Sequence, residues 1–591
     1  MAFEFIDWTI IGVYLAFTLY IGFRYRGQAG GDLTSFFLGG RKLPWFIAGI
    51  SMVATTFAAD TPLWVTEVVA QHGISGNWLW WNMLAGGMLT TLFFSRLWRR
   101  AGVITELEFI ELRYSGKPAA VLRGFKSVYM GIFLNGIIIG WVNAALMTIL
   151  HVFFDIPEQD AFWYTGLAML LVALYSTLAG LIGVALTDAV QFVIAMVGCI
   201  ILAYVALDQP EVGGLSGLTE KLPAWRFDFF PHITSGASLS ENIGTFSITI
   251  GAFLTFTCVQ WWASWYPGAE PGGGGYISQR MMSAKNEKHA VLATLFFQVA
   301  HYCLRPWPWI IVGLCALVLY PELPLADSGK GFVFVMRDYL PAGLKGLLFV
   351  AFLSAYMSTI STQLNWGASY LTNDLYKRFI RKEDTFSTGE EGNRHYVSVA
   401  RIITLGLVLL SFGVTSMIDS IDQAARFLIE CGAGLGLVLI LRWYWWRINA
   451  WSEVVATVAP LGGWLIANKG LHLDFPESFL LTVGFSTICW IVTTFLTAPD
   501  KQEHLQQFYD RVRPGGAWKR FHNSDSGDRP VRIGLLLACW LTATLFTYLL
   551  LFTMGALLFK PLTDACGYAL IMVGLLLVFL WLAKKARLFS D

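Results

Sequence analysis

The chain of 591 residues is 56% apolar and only 14% charged, with a formal net charge of +1 and a mean hydropathy of +0.57. Soluble domains carry about 25% charged residues, so a water-soluble enzyme or scaffold is excluded as a description of the whole chain. A near-neutral balance without a basic face argues against nucleic acid. Eight isolated cysteines, none in a CxxC or Cys/His metal spacing, read as small hydrophobes.

Runs of about 20 apolar residues, the length that crosses a bilayer, predict about fifteen membrane helices. In chain order they fall near 5–24, 44–70, 76–98, 124–153, 160–180, 183–207, 241–266, 289–319, 342–372, 397–418, 424–446, 451–468, 477–497, 532–558 and 564–583. The first run has Glu4 and Asp7 at its start but no Lys or Arg. A cleaved signal peptide needs a basic leading region, so this run is expected to remain as a helix. With the N-terminus outside, the inner loops hold about 32 of the 41 Lys and Arg residues. That imbalance predicts a multi-pass protein of the plasma (inner) membrane, N-terminus outside and C-terminus cytoplasmic.

Two spans are unfit to be continuous helices. The second contains Val53-Ala54-Thr55-Thr56-Phe57-Ala58-Ala59-Asp60-Thr61-Pro62, where Pro62 removes an amide donor and clashes with the preceding turn. Five spans later, the seventh ends in Trp261-Trp262-Ala263-Ser264-Trp265-Tyr266-Pro267-Gly268, followed by Glu270, Pro271 and four glycines to Gly275. Interruptions at matching places in two five-helix sets predict an inverted-repeat secondary transporter. The division is an extra helix in 1–30, repeats in 44–207 and 241–446, and extra helices in 451–591 with a cytoplasmic linker near 498–531. For the glycines themselves, the expectation is a plain cytoplasmic loop over Pro267–Gly275.

The ninth span carries Ser354-Ala355-Tyr356-Met357-Ser358-Thr359-Ile360-Ser361-Thr362, five Ser/Thr hydroxyls in nine residues. Ala355, Ser358 and Thr359 share a helix face at i, i+3 and i+4, and Ser358, Ser361 and Thr362 repeat the spacing. Each trio offers neutral oxygens to a small hard cation. The alternative is that the hydroxyls bond back to their own helix.

Several ordered stretches carry a resemblance. They are Ser35-Phe36-Phe37-Leu38-Gly39-Gly40-Arg41-Lys42-Leu43-Pro44-Trp45, the broken second span, Thr187-Asp188-Ala189-Val190-Gln191, Ile277-Ser278-Gln279-Arg280, and Leu353 to Tyr376 ending Thr372-Asn373-Asp374-Leu375-Tyr376. Over roughly residues 5–470 the chain resembles the sodium/solute symporter family, which includes the sodium–glucose cotransporters. The resemblance implies an all-α polytopic fold, a five-plus-five inverted-repeat core with extra flanking helices. It implies a sodium site from the carbonyls of Ala54, Phe57 and Ala355 and the side chains of Ser358 and Thr359. For some members it implies a second site, here Asp188, Ser358, Ser361 and Thr362. Asp188 reads equally as a solvated helix start near the inner surface. The expected transported ion is sodium, one or two per cycle. Two ions supply about 4.6 kcal/mol at 100 mV, about a thousandfold accumulation of a neutral solute.

Candidate substrate and gate residues, by position, are Thr56, Asp60 and Thr61 beside the first break, Trp80, Trp81 and Asn82 in the third span, Trp261 and Trp262 in the seventh, and Arg305 midway along the eighth. Sugar-transporting relatives place an acidic residue where this chain has Trp80, and Trp261 falls near the family's inner-gate aromatic. With 25 tryptophans in the chain, any one of them is more often an interfacial belt residue. An unpaired guanidinium at membrane depth is costly. Arg305 is therefore expected in a structural ion pair with Asp60 or Glu430, the alternative being a carboxylate-binding group for the solute. No HExxH or nucleophile constellation supports an enzyme; a transporter-like membrane sensor is the alternative, although residues 498–531 are too few for a kinase as its output domain. The expectation is a sodium-coupled symporter importing a small polar organic solute by alternating access. A sugar or organic acid is placed ahead of amino-acid or other nitrogenous solutes, with lipid around the protein and no obligatory protein partner.

Overall fold

Backbone polar groups in a bilayer find no water, so apolar segments close their hydrogen bonds internally as helices. The computed structural model describes residues 3–29, 31–234, 247–266, 268–418, 428–429, 432–522 and 532–589. Among them are 11 helices long and apolar enough to cross a membrane, or 12 if the pair Trp45–Thr55 and Asp60–His72, bent by 59°, counts as one span. The other expected spans differ for definable reasons. The third is divided into Trp78–Trp81, Leu84–Leu89, Thr90–Phe94 and Ser95–Ala101, because Met83 and Ala85 donate to Trp80 and Asn82, three residues back. The seventh and eleventh contribute Ile250–Leu254, Thr255–Gln260, Trp261–Ala263 and Leu435–Tyr444; the rest of their predicted starts, 241–246 and most of 424–431, lies outside the described residues.

Local sequence sets the interruptions. In the first broken span, Thr56 N–H bonds Met52 and Phe57 N–H bonds Ala54, and helix resumes at Asp60. Pro62 sits in the first turn of Asp60–His72, where its missing donor costs nothing. Gly180, at φ 57° and ψ −164°, separates Glu158–Leu178 from Gly180–Leu207. The helix Leu562–Lys585 keeps Leu570, Leu577 and Trp581 exposed, as a lipid-facing helix does.

The expected plain loop over 267–275 is, in its described part, packed inside the protein. Residues 270–275 are buried, and a helix, Gly275–Ser283, starts at the last of the glycines. It runs beside the first half of the broken span, where Leu43 N–H bonds Ser283 and Lys285 N–H bonds Leu43. Glycine and proline mark the loss of helix in a sequence but not whether the backbone meets water. Here it meets protein: Gly273 N–H bonds Glu270 at 2.9 Å, Trp265 N–H bonds Gly432 at 3.1 Å, and Trp98 Nε1 donates to Gly272 at 2.9 Å. Close approach needs small residues. A Cβ on Gly436 would stand 2.1 Å from the Trp262 carbonyl. The seventh span is thus a second broken helix, and its break touches the first, with Gly268 packed against Thr56 Cγ2 and Tyr276.

Candidate functional site

The hydroxyl-rich helix, Leu344–Ile380, crosses the first break. Thr359 Oγ1 donates to the carbonyl of Thr55 at 2.9 Å and to Ala355 at 3.2 Å. Ala54, Phe57, Ala355, Ser358 and Thr359 are all buried. Carbonyls left over at a helix end and a neutral hydroxyl make up the ligand chemistry of an alkali cation that keeps no water. Ser358 points elsewhere: its Oγ donates to Asp188 Oδ1 at 2.7 Å. Ser354 and Ser361 take the plain course and bond back to Ala351 and Ser358 of their own helix.

Asp188 is not a solvated helix start. It is 0% exposed, eight residues beyond the Gly180 break. Its Oδ2 accepts from Ser51 Oγ at 2.5 Å, and Arg280 Nη2 stands 3.7 Å away. Arg280 also donates from Nε to Ser51 Oγ at 3.1 Å and from Nη2 to Thr362 Oγ1 at 2.7 Å; Thr362 in turn lies 3.0 Å from Thr55 Oγ1. Two of the second trio, Ser358 and Thr362, therefore flank a compensated ion pair, while Ser361 does not touch it. A buried carboxylate and guanidinium are tolerated together because each removes the other's uncompensated charge. Ser51 and Arg280 were not singled out from the sequence as site residues, although Arg280 closes the quoted Ile277–Arg280 stretch.

A second polar cluster sits on the other side of the first break. Pro306 and Pro308 lack amide hydrogens, and the eighth span widens to a π-helix over Ala300–Leu304 just before them, with Arg305 N–H bonding Ala300. π-bulges of this kind are frequent at functional sites. The widening presents His301 and Arg305 together. Arg305 Nη1 donates to Thr56 Oγ1 at 3.0 Å and closely to the Thr56 carbonyl, Nη2 lies 3.1 Å from His301 Nε2, and His301 Nδ1 is 2.9 Å from Thr56 Oγ1.

The expected pair of Arg305 with Asp60 is not formed. Among the described residues no carboxylate lies within 4.0 Å of this 2%-exposed guanidinium; Glu430 lies outside them. At contact distance the guanidinium meets the carbonyl end of the half-helix Trp45–Thr55, the negative pole of its dipole, and the Trp309 ring, 5.1 Å from the guanidinium carbon; Asp60 acts on it only at longer range. Arg305 Nε and Asp60 Oδ1 have no hydrogen-bond partner. His301, four residues before Arg305 on the same helix, is a site residue the sequence reading passed over among scattered histidines.

The remaining candidates divide. Trp80 stacks on Tyr302 with centroids 5.6 Å apart and meets His301 edge-on at 5.7 Å, so it borders the Arg305 cluster. Trp81 and Trp261 face the C-terminal helix Ile533–Phe559, where Tyr548 donates to the Trp81 carbonyl and Trp261 packs on Trp540 at 5.5 Å. Trp262 packs beside Phe479 and Val483. Asn82 donates to the Trp78 and Leu79 carbonyls at the turn of the third span. Thr61 lies in the first turn of Asp60–His72.

Comparison with known proteins matches residues 36–457 to the "Sodium:solute symporter family". The sodium/glucose cotransporter of Vibrio parahaemolyticus is 23% identical over 525 residues, 84% of this chain and 91% of that protein. Sodium/glucose cotransporter 1 of Oryctolagus cuniculus is 24% identical over 482 residues, 75% of this chain and 69% of that protein. Among solved structures, a Na+-coupled sialic acid symporter in a substrate-bound outward-open state superposes with a TM-score of 0.69 at 21% identity, over 85% of this chain and 99% of that one. It shares the inverted-repeat transporter fold. With a family match that takes in both broken spans and the hydroxyl-rich helix that follows them, this chain belongs to the sodium:solute symporter family.

Proposed function

We propose that this sodium-coupled symporter imports a small polar organic solute bearing a carboxylate, held by Arg305 between the two broken helices. The observation that carries the reading is Arg305 itself: a buried guanidinium with a free Nε, no carboxylate of the described chain beside it, and Thr56 and His301 fixing its orientation. Arginine recognises carboxylates through paired N–H donors. Trp80 and Tyr302 supply apolar faces for the body of the solute, and Asp60, with one unpartnered oxygen, accepts from its hydroxyl or amino groups.

Sodium binds among Ala54, Phe57, Ala355 and Thr359, with Ser358 turning from Asp188 to complete the set, and so joins the first broken helix to the hydroxyl-rich helix. Occupancy then favours the arrangement in which the two are together. Asp188, Ser358, Ser361 and Thr362 serve a second sodium if Arg280 withdraws. We place the two repeats at 44–207 and 241–446, the N-terminus outside, and the protein in the plasma (inner) membrane.

The test is a thermal-stabilisation screen of purified protein across sugars, organic acids and amino acids, with sodium or choline, followed by uptake into proteoliposomes. Stabilisation by carboxylate solutes only in sodium is expected. Neutral sugars stabilising as strongly as acids, in wild type and Arg305→Lys alike, would remove the carboxylate reading.

A further inference from the structure

Glu270 lies inside the second break and is 3% exposed. Its Oε2 accepts the Gly268 N–H at 3.1 Å; Oε1 is buried and has no hydrogen-bond partner. Oε1 sits against Gly275, 2.7 Å from where a Cβ would stand, and the Trp366 indole borders the same spot. Nε1 of that indole is also without a partner. Glu106 approaches from the other side of the glycines: its two oxygens and the Glu270 Cβ all lie 3.1–3.2 Å from the ideal Cβ position of Gly274.

The two carboxylates are provided for unequally. Glu106 accepts from Gly275 N–H at 2.8 Å, from Tyr370 OH at 3.0 Å and from Arg442 Nη2 at 3.4 Å. Both Glu106 oxygens are thus bonded. Glu270 has one amide, no Lys or Arg within 4.0 Å among the described residues, and a second carboxyl group as its neighbour. An ionised carboxylate so placed carries a large desolvation and like-charge cost, which the neutral acid escapes. A metal does not account for the arrangement, since no group of three or more His, Cys, Asp or Glu among the described residues could hold one.

We propose that Glu270 is a proton-binding site of this transporter, so that a proton is bound and released in its cycle alongside sodium. While the second break is packed as here, the carboxyl is neutral. When the inner path opens, the O–H bond breaks, the proton passes to a water molecule and the electron pair stays on the carboxylate; closure reverses the step. The break is placed for this. Gly272 packs on the Leu439 carbonyl and accepts from Trp98, so any movement of Leu435–Tyr444 or of the third span changes water access to Glu270. Tyr276 faces Glu270 from the following helix, Tyr370 and Arg442 face it only through Glu106, and Tyr266, Arg280 and Arg305 lie beyond Tyr276.

The link to transport rests on the symport reading, but the site is testable without a solute. Infrared difference spectra of the purified full-length protein between acid and alkaline buffer should contain a protonated-carboxyl C=O band that is lost in Glu270→Gln, retained in Glu106→Gln and shifted in Glu270→Asp. In lightly buffered solution a pH-indicating dye should report a proton change when sodium chloride, but not choline chloride, is added. That signal should be lost in Glu270→Gln while sodium still stabilises the variant thermally. A carboxyl band unchanged by both Glu270 substitutions, or an undiminished proton signal in Glu270→Gln, overturns the proposal. Loss of sodium stabilisation in wild type would strike at the symport reading instead.

Discussion

The hydroxyl of Thr359 reaches 2.9 Å to the carbonyl of Thr55, a residue 304 positions earlier in the chain. It joins a continuous membrane helix to the point where another one stops. A carbonyl at a helix end has no amide of its own helix to serve, and it is here satisfied by a group that a cation can displace.

Thr359→Val keeps the shape of the side chain and removes that oxygen. Apparent sodium affinity should fall about tenfold, equivalent to about 1.4 kcal/mol, and Ser358→Ala should move it in the same direction. The check is the sodium concentration giving half-maximal thermal stabilisation. Unchanged midpoints in both variants would remove the sodium site from this crossing.

Arg280 and Asp188 are buried together, so removing one strands the other. Arg280→Met should cost about 3–5 kcal/mol, and Asp188→Asn introduced into that background should restore part of the loss. Thermal unfolding of the single and double variants in detergent measures this. Additive losses would mean that the two charges do not compensate each other.

Gly436 leaves 2.1 Å for a Cβ beside the Trp262 carbonyl. Gly436→Ala should destabilise by about 1–3 kcal/mol, the range for forcing an extra carbon into a packed interior. Gly567, with nothing within 4 Å of its ideal Cβ, should accept alanine without loss. Fluorescence-detected size-exclusion profiles after a heat step compare the two.

Arg305→Lys keeps the positive charge but cannot reach Thr56 and His301 while offering a carboxylate two N–H groups. The apparent affinity for the solute that stabilises the wild type should fall at least about tenfold, with the sodium midpoint preserved. A sodium midpoint that shifts with it would place Arg305 in the ion site rather than the solute site.

The spans and the first break were legible because both leave local marks: a bilayer length of apolar residues, and a proline within reach of a helix start. The hydroxyl trio was legible as a face of one helix. What faced it was not, since Thr55 and Ser51 announce nothing locally and come to Thr359 and Asp188 only through packing. The burial of residues 270–275 was not legible, because composition reports only the absence of helix, and burial there depends on Leu439, Trp98 and Glu106, far away in the chain. Arg305 was noticed for its cost at membrane depth. Its partner His301 escaped because a single pair at four-residue spacing carries little weight until Thr56, from another helix, is seen to bond both.

The C-terminal helix Ile533–Phe559 donates from Tyr548 to the carbonyl of Trp81 and from Trp540 to that of Ala85, each at 2.8 Å, where the third span is unwound. Cys303, two residues before Arg305, gives its thiol to Thr547 of the same helix. A segment that counting helices would label an appendage is therefore tied both to the unwound part of the third span and to the turn that precedes Arg305. Without this outer helix, the Trp81 and Ala85 carbonyls would lose the donors they now have, and the Cys303 thiol its acceptor.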